Sequence, residues 1–483
     1  MRFNKLLFVR MLLPLCLWAI CVVSCVDLDE NPPSDLSPQN FYNSEDEFNS
    51  ALTGIIKSLY SGWEGFDYGY DLVLASGAED VRSDADIYKN FDKLVPNDRE
   101  IVIRGFWQKA YQTISNANTL IANVDRAKNL KESVIDPIEG QARFLRAFTY
   151  FYLVRFFGPI QVTTYENQFA IENVKQSTVE EVYMNSIIPD LKIAEEKLPL
   201  SFGDKGRPTK GAAKTLLAKV YLTMAGWPIQ KPEVYYPLAM EKAFEIMSNQ
   251  KEYGYDLEPD FANLWTQANK LSSKEFIFTF YGSIADGGVA GSHMDLATRY
   301  WGNGEGGWGD YSSETRFFDV FPDGPRKDAT FTSVFADGTT FIEAQTYPHI
   351  AKYRDGGNKV GTNSEGFRPI LRYADVLLIY AEAANYVNNG PTSEALNALN
   401  AVRLRAGLDR YPRGMMQPEF DKAVLDERVW EFACEGDRWH DLVRRELVVQ
   451  ANIDEHPNVK PSARLLPKPG TEIIPGILDQ NEY

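Results

Sequence analysis

Metal-binding and redox-active residues are scarce in this sequence, which has four cysteines and four histidines among 483 residues. The histidines do not follow the spacing of metal ligands, and no cluster combines them with cysteine. A P-loop, a dinucleotide-binding glycine pattern and a Gly-x-Ser-x-Gly elbow are also missing. We therefore predict no metal, no cofactor and no catalytic residue. A glycosidase needs only two carboxylates, however, and four clustered acidic residues keep that alternative open: Glu79, Asp80, Asp84 and Asp86.

Long hydrophobic runs are missing after the first 24 residues. Residues 1–24 combine a basic start, an apolar run from Met11 to Val23 and small residues near the end. This pattern is typical of a secretory signal peptide and is too short for a membrane span. The end of this stretch together with the residue after it, Val22 to Cys25, resembles a bacterial lipobox with Cys25 as the acylated first mature residue. We expect residues 25–40, rich in Pro, Asp, Ser and Asn, to form a lipidated tether with little structure.

Cysteine pairing is excluded in the predicted mature chain. Cys16 and Cys21 leave with the signal peptide, and Cys25 carries the lipid, so that Cys434 stands alone. Cys434 lies among apolar neighbours, which predicts a buried and unreactive thiol.

Basic residues are fewer than acidic ones, and the net charge is −17. Removing the first 24 residues, which carry Arg2, Lys5 and Arg10 and no acidic residue, takes the net charge to −20. Such an acidic chain disfavours nucleic acid as a partner.

Helical periodicity dominates residues 41–483, which we predict to form one mainly α body of tetratricopeptide-like helical pairs. Ser44 and Glu47 predict a capping box that opens the first helix. Glu382 lies in an apolar helix, where we expect an ion pair with Arg403 or Arg405. The predicted helices span 45–61, 106–127, 138–156, 179–197, 210–225, 236–249 and 369–386, with a further helix between Pro391 and Gly407.

Several segments resemble the SusD/RagB family, the surface-exposed nutrient-binding lipoproteins of Bacteroidetes. They include RPILRYADVLLIYAEAAN, LNALNAVRLRAGL and LDERVWEFACEGDRWHDLVRRE near the C-terminus. Segments at 110–125, 141–160 and 207–226 resemble family segments in the same order, so the likeness covers nearly the whole mature chain. For the cluster from Glu435 to Asp441 with Arg444, the resemblance favours a structural role in fixing the last helices.

Residues 254–367 differ from the helical segments in composition. They are predicted to be a loop-rich insertion with minor β structure, including a strand at 276–280. From Gly282 to Gly309, nine of 28 residues are glycine, and tryptophan and tyrosine are interleaved with them. A second stretch of the same kind spans 62–91. Long aromatic loops of this kind are usually functional.

Aromatic rings can lie against the C–H faces of sugars while carboxylates and amides bind the hydroxyls. The family resemblance implies that ligand-binding residues come from loops above the helical scaffold, so we expect 62–91 and 282–311 to meet there. The predicted ligand-binding residues are Trp301, Trp308, Tyr300, Tyr68 and Tyr88 as rings, with Asp84, Asp86 and Asn303 as hydroxyl partners.

The resemblance implies a lipid-anchored outer-membrane protein that captures oligosaccharides and passes them to a SusC-type TonB-dependent transporter. Peptide capture is the nearest alternative, because some members of the family import peptides. A third reading is a structural lid that contacts only the transporter.

Overall fold

The computed structural model describes residues 41–60, 77–203, 206–282, 294–355, 357, 359–360 and 363–483. The predicted signal peptide, the lipidated Cys25 and the tether lie outside the described residues. Ser44–Tyr483 forms one compact unit. Its helices are α1 (Glu45–Tyr60), α2 (Lys89–Asp92), α3 (Ile101–Ala122), α4 (Glu132–Phe157), α5 (Val179–Val182), α6 (Ile188–Lys197), α7 (Lys210–Ala225), α8 (Pro232–Ser248), α9 (Gln250–Tyr253), α10 (Met294–Ala297), α11 (Thr315–Val320), α12 (Pro325–Thr330), α13 (Tyr373–Val387), α14 (Ser393–Arg405), α15 (Gln417–Glu431), α16 (Asp437–Arg444) and α17 (Val448–Asn452).

The strands are short and pair two by two in antiparallel ladders, β1 with β2, β3 with β8, β4 with β5 and β6 with β7. The prediction of a mainly α fold is therefore confirmed. No described helix is both long enough and apolar enough to cross a lipid bilayer. The strands are β1 (Ile160–Gln161), β2 (Gln176–Ser177), β3 (Phe276–Tyr281), β4 (Phe331–Thr332), β5 (His349–Ile350), β6 (Lys359–Val360), β7 (Asn363–Ser364) and β8 (Phe367–Arg372).

The long helices form a continuous stack in which each packs on its neighbours. The stack runs from α1 through α3, α4, α6, α7 and α8 to α13, which also packs on α14 and α15. Apolar side chains at helical spacing fill it, and in α4 and α13 nearly every side chain is buried. Because α8 and α13 are direct neighbours, the stack continues across the 124 residues from 249 to 372 that separate them.

The predicted helix starts are partly confirmed. In the predicted capping box, the Glu47 backbone N–H donates to Ser44 Oγ at 3.4 Å, and the Ser44 N–H donates to Glu47 Oε2 at 3.0 Å. The helix predicted from residue 369 instead begins at Tyr373, because residues 367–372 form strand β8 against β3. Both strands are buried, so their backbone groups require this pairing.

A buried network of charges joins the end of β8 to the last helices. Arg372, 2% exposed, contacts Glu275 at 2.5 Å, Glu431 at 2.8 Å and Glu435 at 2.8 Å. Arg405 meets the same Glu275 and Glu431 at 2.7 and 2.5 Å. Burial opposes the charge on Glu431, but the Arg405 and Arg372 guanidinium groups hold its pKa well below the ordinary value. The network therefore ties β3, β8, α14 and α15 into one block.

Glu382 belongs to a second network, and its predicted partners were wrong. Burial alone would raise the pKa of Glu382, but Arg444 at 2.5 Å and Arg445 at 3.1 Å lower it to about 2. Arg405 instead forms salt bridges with Glu275 and Glu431, and Arg403 forms one with Glu427. Helix spacing shows which residues are buried but does not show which distant helix supplies the counter-ion.

Cys434 is buried, as predicted, beside a buried carboxylate. The Cys434 backbone N–H donates to Asp80 Oδ2 at 2.7 Å, and burial raises the pKa of the thiol well above its ordinary value. Burial also raises the pKa of Asp80 from 3.8 to about 6, although the Cys434 hydrogen bond opposes that shift. The hydrogen bond between Asp80 and Cys434 therefore holds the segment that begins at residue 77 against the α15–α16 turn.

We expect Arg372→Met to lower the free energy of unfolding by about 3–5 kcal/mol, because Glu275, Glu431 and Glu435 would lose a buried counter-ion. Guanidinium chloride unfolding measures this loss. The matched control is Lys422→Met, which breaks the exposed pair with Asp426 and should cost less than about 1 kcal/mol. Equal losses in the two variants would contradict a structural role for the network.

We expect Asp80→Asn to stabilise the protein more at pH 8 than at pH 5. Because the folded pKa of Asp80 is raised from 3.8 to about 6, its favourable contribution is present below pH 3.8 and is lost as the pH rises through 6. The asparagine oxygen can still accept the Cys434 hydrogen bond. The stability difference between variant and wild type should shift by about 1 kcal/mol between the two pH values, measured by urea unfolding. A pH-independent difference would show that Asp80 does not titrate in this range.

Candidate functional site

A tight loop at residues 299–309 carries four of the eight predicted ligand-binding residues. The backbone N–H groups of Gly307 and Gly309 donate to the Tyr300 and Arg299 carbonyls, both at 2.9 Å. The turn between them has positive φ at Asn303 (53°), Gly304 (76°) and Gly306 (65°), a conformation that favours glycine and asparagine. A Cβ on Gly307 would lie 2.3 Å from the Arg299 carbonyl oxygen, so any side chain there would force the loop apart.

Among the rings of the predicted set that the structure describes, Trp301 is the most exposed, with 68% of its surface accessible. It contacts the Tyr300 ring at a centroid distance of 5.1 Å, and a Cβ on Gly309 would lie 3.3 Å from its Cδ1. The indole therefore leans on its own loop and leaves most of its surface open to a ligand. Trp308 is half-buried, and its backbone N–H donates to the Leu296 carbonyl at 2.8 Å.

Tyr300 supports the loop from the protein side. Its ring stacks on Phe335 at 5.0 Å and contacts His349 at 5.2 Å. His349 Nδ1 donates to the Thr298 carbonyl at 3.2 Å, and burial lowers the pKa of His349 to about 4, so it is neutral at neutral pH. Tyr300 thus contributes to the site by holding Trp301 in place.

The described parts of the two predicted loop segments meet. Arg82 and Ser312 form an antiparallel β-bridge, and Ser83 Oγ donates to the Asp310 carbonyl at 2.7 Å. Ser312 also bridges His349, so that three chain segments lie side by side. This agrees with the expectation that 62–91 and 282–311 come together, within residues 77–91 and 294–311.

One tyrosine of the predicted set, Tyr88, is not available as an exposed platform. Tyr88 is only 6% exposed, and its ring packs on Tyr311 at 5.2 Å, so the prediction that it stacks on a ligand was wrong. The residue joins the two segments because a large ring between them removes apolar area from water. Tyr68 lies outside the described residues.

The predicted hydroxyl partners are all engaged in local contacts, and two of them, Asp84 and Asp86, are exposed. Asp84 pairs with Arg82 at 2.7 Å and Asp86 with Lys89 at 2.6 Å, with the two carboxylates 69% and 96% exposed. The Lys89 ammonium lowers the pKa of Asp86. Asn303 Nδ2 donates to Asp337 Oδ2 at 2.8 Å. All three keep oxygen atoms that can accept hydrogen bonds from a ligand.

Arg82 links the acidic groups around this junction. Its guanidinium lies 3.6 Å from the Tyr347 ring centroid and 3.6 Å from Glu314 Oε1. Burial raises the pKa of Glu314 to about 7 even though Arg82 opposes the shift, and burial raises the pKa of Asp92 to about 6. Glu314 is therefore partly protonated near neutral pH, and the junction carries less negative charge than its composition indicates.

A third segment, the hairpin at 333–342, borders the 299–309 loop. The sequence did not lead us to predict it. Its Ala336 N–H donates to Glu305 Oε1 at 2.9 Å, and its exposed large apolar side chains are Val334 (53%) and Ile342 (72%). The Asp337-Gly338 pair is a turn signal between apolar residues that could have identified it.

Two of the four acidic residues considered for glycosidase chemistry are engaged in contacts within the protein. Asp80 is buried against Cys434, while Glu79 contacts Arg438. The cluster from Glu435 to Asp441 is buried among salt bridges that join α13, α15 and α16, as the structural reading predicted. Within the part of the chain that the structure describes, no group of three or more His, Cys, Asp or Glu residues is arranged to hold a metal ion.

Comparisons with known proteins identify two family models. The model described as "SusD family" matches residues 329–464, and the model described as "Starch-binding associating with outer membrane" matches residues 28–222. The SusD-like protein P2 of Formosa agariphila is 31% identical, and the alignment covers 98% of both chains. A SusD-like protein of Bacteroides ovatus is 29% identical, over 89% of this chain and 82% of the relative.

Solved structures give the same result for the fold. A SusD superfamily protein from Parabacteroides distasonis superposes with a TM-score of 0.76 and 26% identity, covering 91% of this chain and 97% of the other. A laminarin-binding SusD-like protein superposes with a TM-score of 0.71 and 25% identity, covering 90% and 98%. From the helical stack, the two family models and the full-length similarity to P2, we conclude that the chain belongs to the SusD/RagB family.

Proposed function

We propose that this protein binds oligosaccharides through the 299–309 loop, with Trp301 as the principal stacking surface. The observation that carries the proposal is the 68% exposure of Trp301 on a loop whose backbone hydrogen bonds hold it in shape. Exposing an indole to water is unfavourable, and a large exposed apolar surface usually marks a contact site. The descriptions of the starch-binding family model and the laminarin-binding relative support a glycan as the ligand.

The surroundings of Trp301 suit a neutral, hydroxyl-rich ligand. A sugar ring can lie against the indole with its C–H face, and the oxygen atoms of Asn303, Asp84 and Asp86 can accept its hydroxyl protons. Val334 and Ile342 are exposed apolar side chains on the neighbouring hairpin. The pairing of Asp84 with Arg82 and of Asp86 with Lys89 keeps the local charge balanced, which favours a neutral sugar over a charged ligand.

The site is preorganised by packing behind it. Tyr300 is held between Trp301, Phe335 and His349, so few side-chain rotamers have to be fixed when the ligand binds. Trp308, Tyr300 and Asn303 act mainly by keeping the loop shape, while Trp301 makes the contact.

The remaining parts of the proposal concern the cell surface. Residues 1–24 direct secretion, and Cys25 carries the lipid that attaches the protein to the outer membrane. Residues 25–40 form the tether between the lipid and the folded body. The captured oligosaccharide is then delivered to a SusC-type TonB-dependent transporter. The description of the family model as outer-membrane-associated supports the location.

We expect Trp301→Ala to weaken binding of laminarin or starch oligosaccharides at least about tenfold, because the ring supplies the stacking surface. Isothermal titration of the purified protein measures the change. The matched control is Phe169→Ala, which removes an 83% exposed ring from another loop and should leave the affinity unchanged. Unaltered glycan binding by Trp301→Ala, or tight binding of peptides alone, would contradict the proposal.

We expect Cys25→Ala to move the protein from the membrane fraction to the soluble fraction, because no other lipid attachment is proposed. Fractionation of cells that express the full chain, followed by immunoblotting, measures the distribution. Cys434→Ala, which removes a buried thiol, is the control and should stay with the membrane. Retention of Cys25→Ala in the membrane would contradict lipid anchoring at this residue.

A further inference from the structure

A second cleft, distinct in all its residues from the loop site, lies among the helices. It has a volume of about 550 Å³, which is within the range of small-ligand sites. It is bordered by the turn after α7, the end of α13, the start of α15 and the end of α16. We call it the helical cleft, and its main lining residues are Trp227, Gln230, Tyr236, Asn385, Tyr386 and Gln417.

Tyr386 provides a fixed ring at the edge of the helical cleft. It is 39% exposed and stacks on Tyr236 with centroids 4.4 Å apart and the rings tilted by 28°. The Tyr236 hydroxyl donates to Glu382 Oε1 at 3.2 Å and accepts from Arg445 Nη1 at 3.2 Å. Since Tyr236 is tied to the buried ion-pair network, Tyr386 is supported on one face, and its accessible surface lies on the remaining face and edge.

Trp227 provides a second ring. Its backbone N–H donates to the Arg444 carbonyl at 2.9 Å, and a Cβ on the preceding Gly226 would lie 2.2 Å from the same carbonyl oxygen. The turn therefore packs closely on the end of α16. The Arg464 guanidinium covers the indole at 5.3 Å from the ring centroid, and the ring remains half-buried.

The charges around the helical cleft are all paired, which selects against a charged ligand. Arg445 contacts Asp421 and lies 3.1 Å from Glu382. Glu446 accepts from Gln230 Nε2 at 2.7 Å and pairs with Arg464 at 2.8 Å. A charged ligand would have to displace one of these partners, whereas a neutral one would not.

An amide group adds an unused acceptor to the lining. Asn385 is 1% exposed, and its Nδ2 donates to the Gln417 carbonyl at 3.0 Å. Its Oδ1 accepts no hydrogen bond from any residue that the structure describes. A buried acceptor without a donor is unfavourable, and a hydroxyl entering between Asn385 and Gln417 would satisfy it.

From these features we infer that the helical cleft is a second binding site, specific for a neutral polyhydroxylated ring such as a single unit of a sugar chain. Two aromatic rings supply stacking surface, three amide side chains supply hydrogen bonds to hydroxyls, and the paired charges exclude ionic ligands. The choice of ligand class rests on the proposed glycan-binding function. The site itself shares no residue with the 299–309 loop and can be tested separately.

The test starts from the Trp301→Ala variant, in which the loop site is disabled. Saturation-transfer NMR with laminarin and starch oligosaccharides at millimolar concentration should detect residual binding in this variant. Adding Tyr386→Ala should weaken that residual binding about tenfold or more. Adding Tyr386→Phe, which keeps the ring, should preserve it.

Two outcomes would overturn the inference. The first is that Trp301→Ala and Trp301→Ala/Tyr386→Ala give the same signal, whatever the wild type does. The second is that Leu404→Ala, a control at another exposed apolar side chain, weakens residual binding as much as Tyr386→Ala does. The proposed function fails on a different comparison, that of wild type with Trp301→Ala, so the two failures are distinguishable. Equal melting temperatures of all variants establish that each is folded.

Discussion

The buried ion pairs of Arg372 are the constraint on which the rest of the structure depends. This guanidinium lies at the junction of β8 and α13 and contacts carboxylates from the residue before β3, from α15 and from the α15–α16 turn. Ionised groups inside a protein are tolerated only when every partner is in place. The junction therefore has one correct arrangement, and it fixes where the loop-rich insertion leaves and rejoins the helical stack.

The geometry of the 299–309 loop depends on this fixed junction. Single β-bridges align Arg82, Ser312 and His349, and β5 continues the alignment to β4. Buried and half-buried rings then fill the space between these segments, including Tyr88 against Tyr311 and Tyr300 against Phe335. These rings shape the loops, whereas Trp301 is left exposed.

Much of the fold could be predicted from local sequence, because helices depend on contacts three and four residues apart. The capping box at Ser44 and the helix over residues 210–225 were read correctly for this reason. Long-range partners could not be read in the same way. The counter-ion of Glu382 comes from Arg444, 62 residues away, and β8 is a strand only because β3 lies beside it.

In the candidate site, composition indicated two segments whose described parts meet, but it did not indicate which rings are buried. Glycine and aromatic content indicated residues 282–311, yet nothing in the local pattern separates Tyr88, which is buried, from Trp301, which is exposed. That difference is decided by packing between segments more than 200 residues apart. The 333–342 hairpin was not predicted, because the sequence alone does not distinguish its exposed apolar residues from those of a core strand.

The direct contact of α8 with α13 has a consequence for how such proteins diversify. Because the two ends of the insertion are held by the scaffold, lengthening the chain between them adds little closure entropy, about 0.6 kcal/mol for each doubling of length. Recognition segments can therefore be exchanged, extended or trimmed by natural selection while the supporting helices keep their sequence and their ion pairs. In this architecture, the stretch between α8 and α13 can be remodelled without altering the helices that hold its ends.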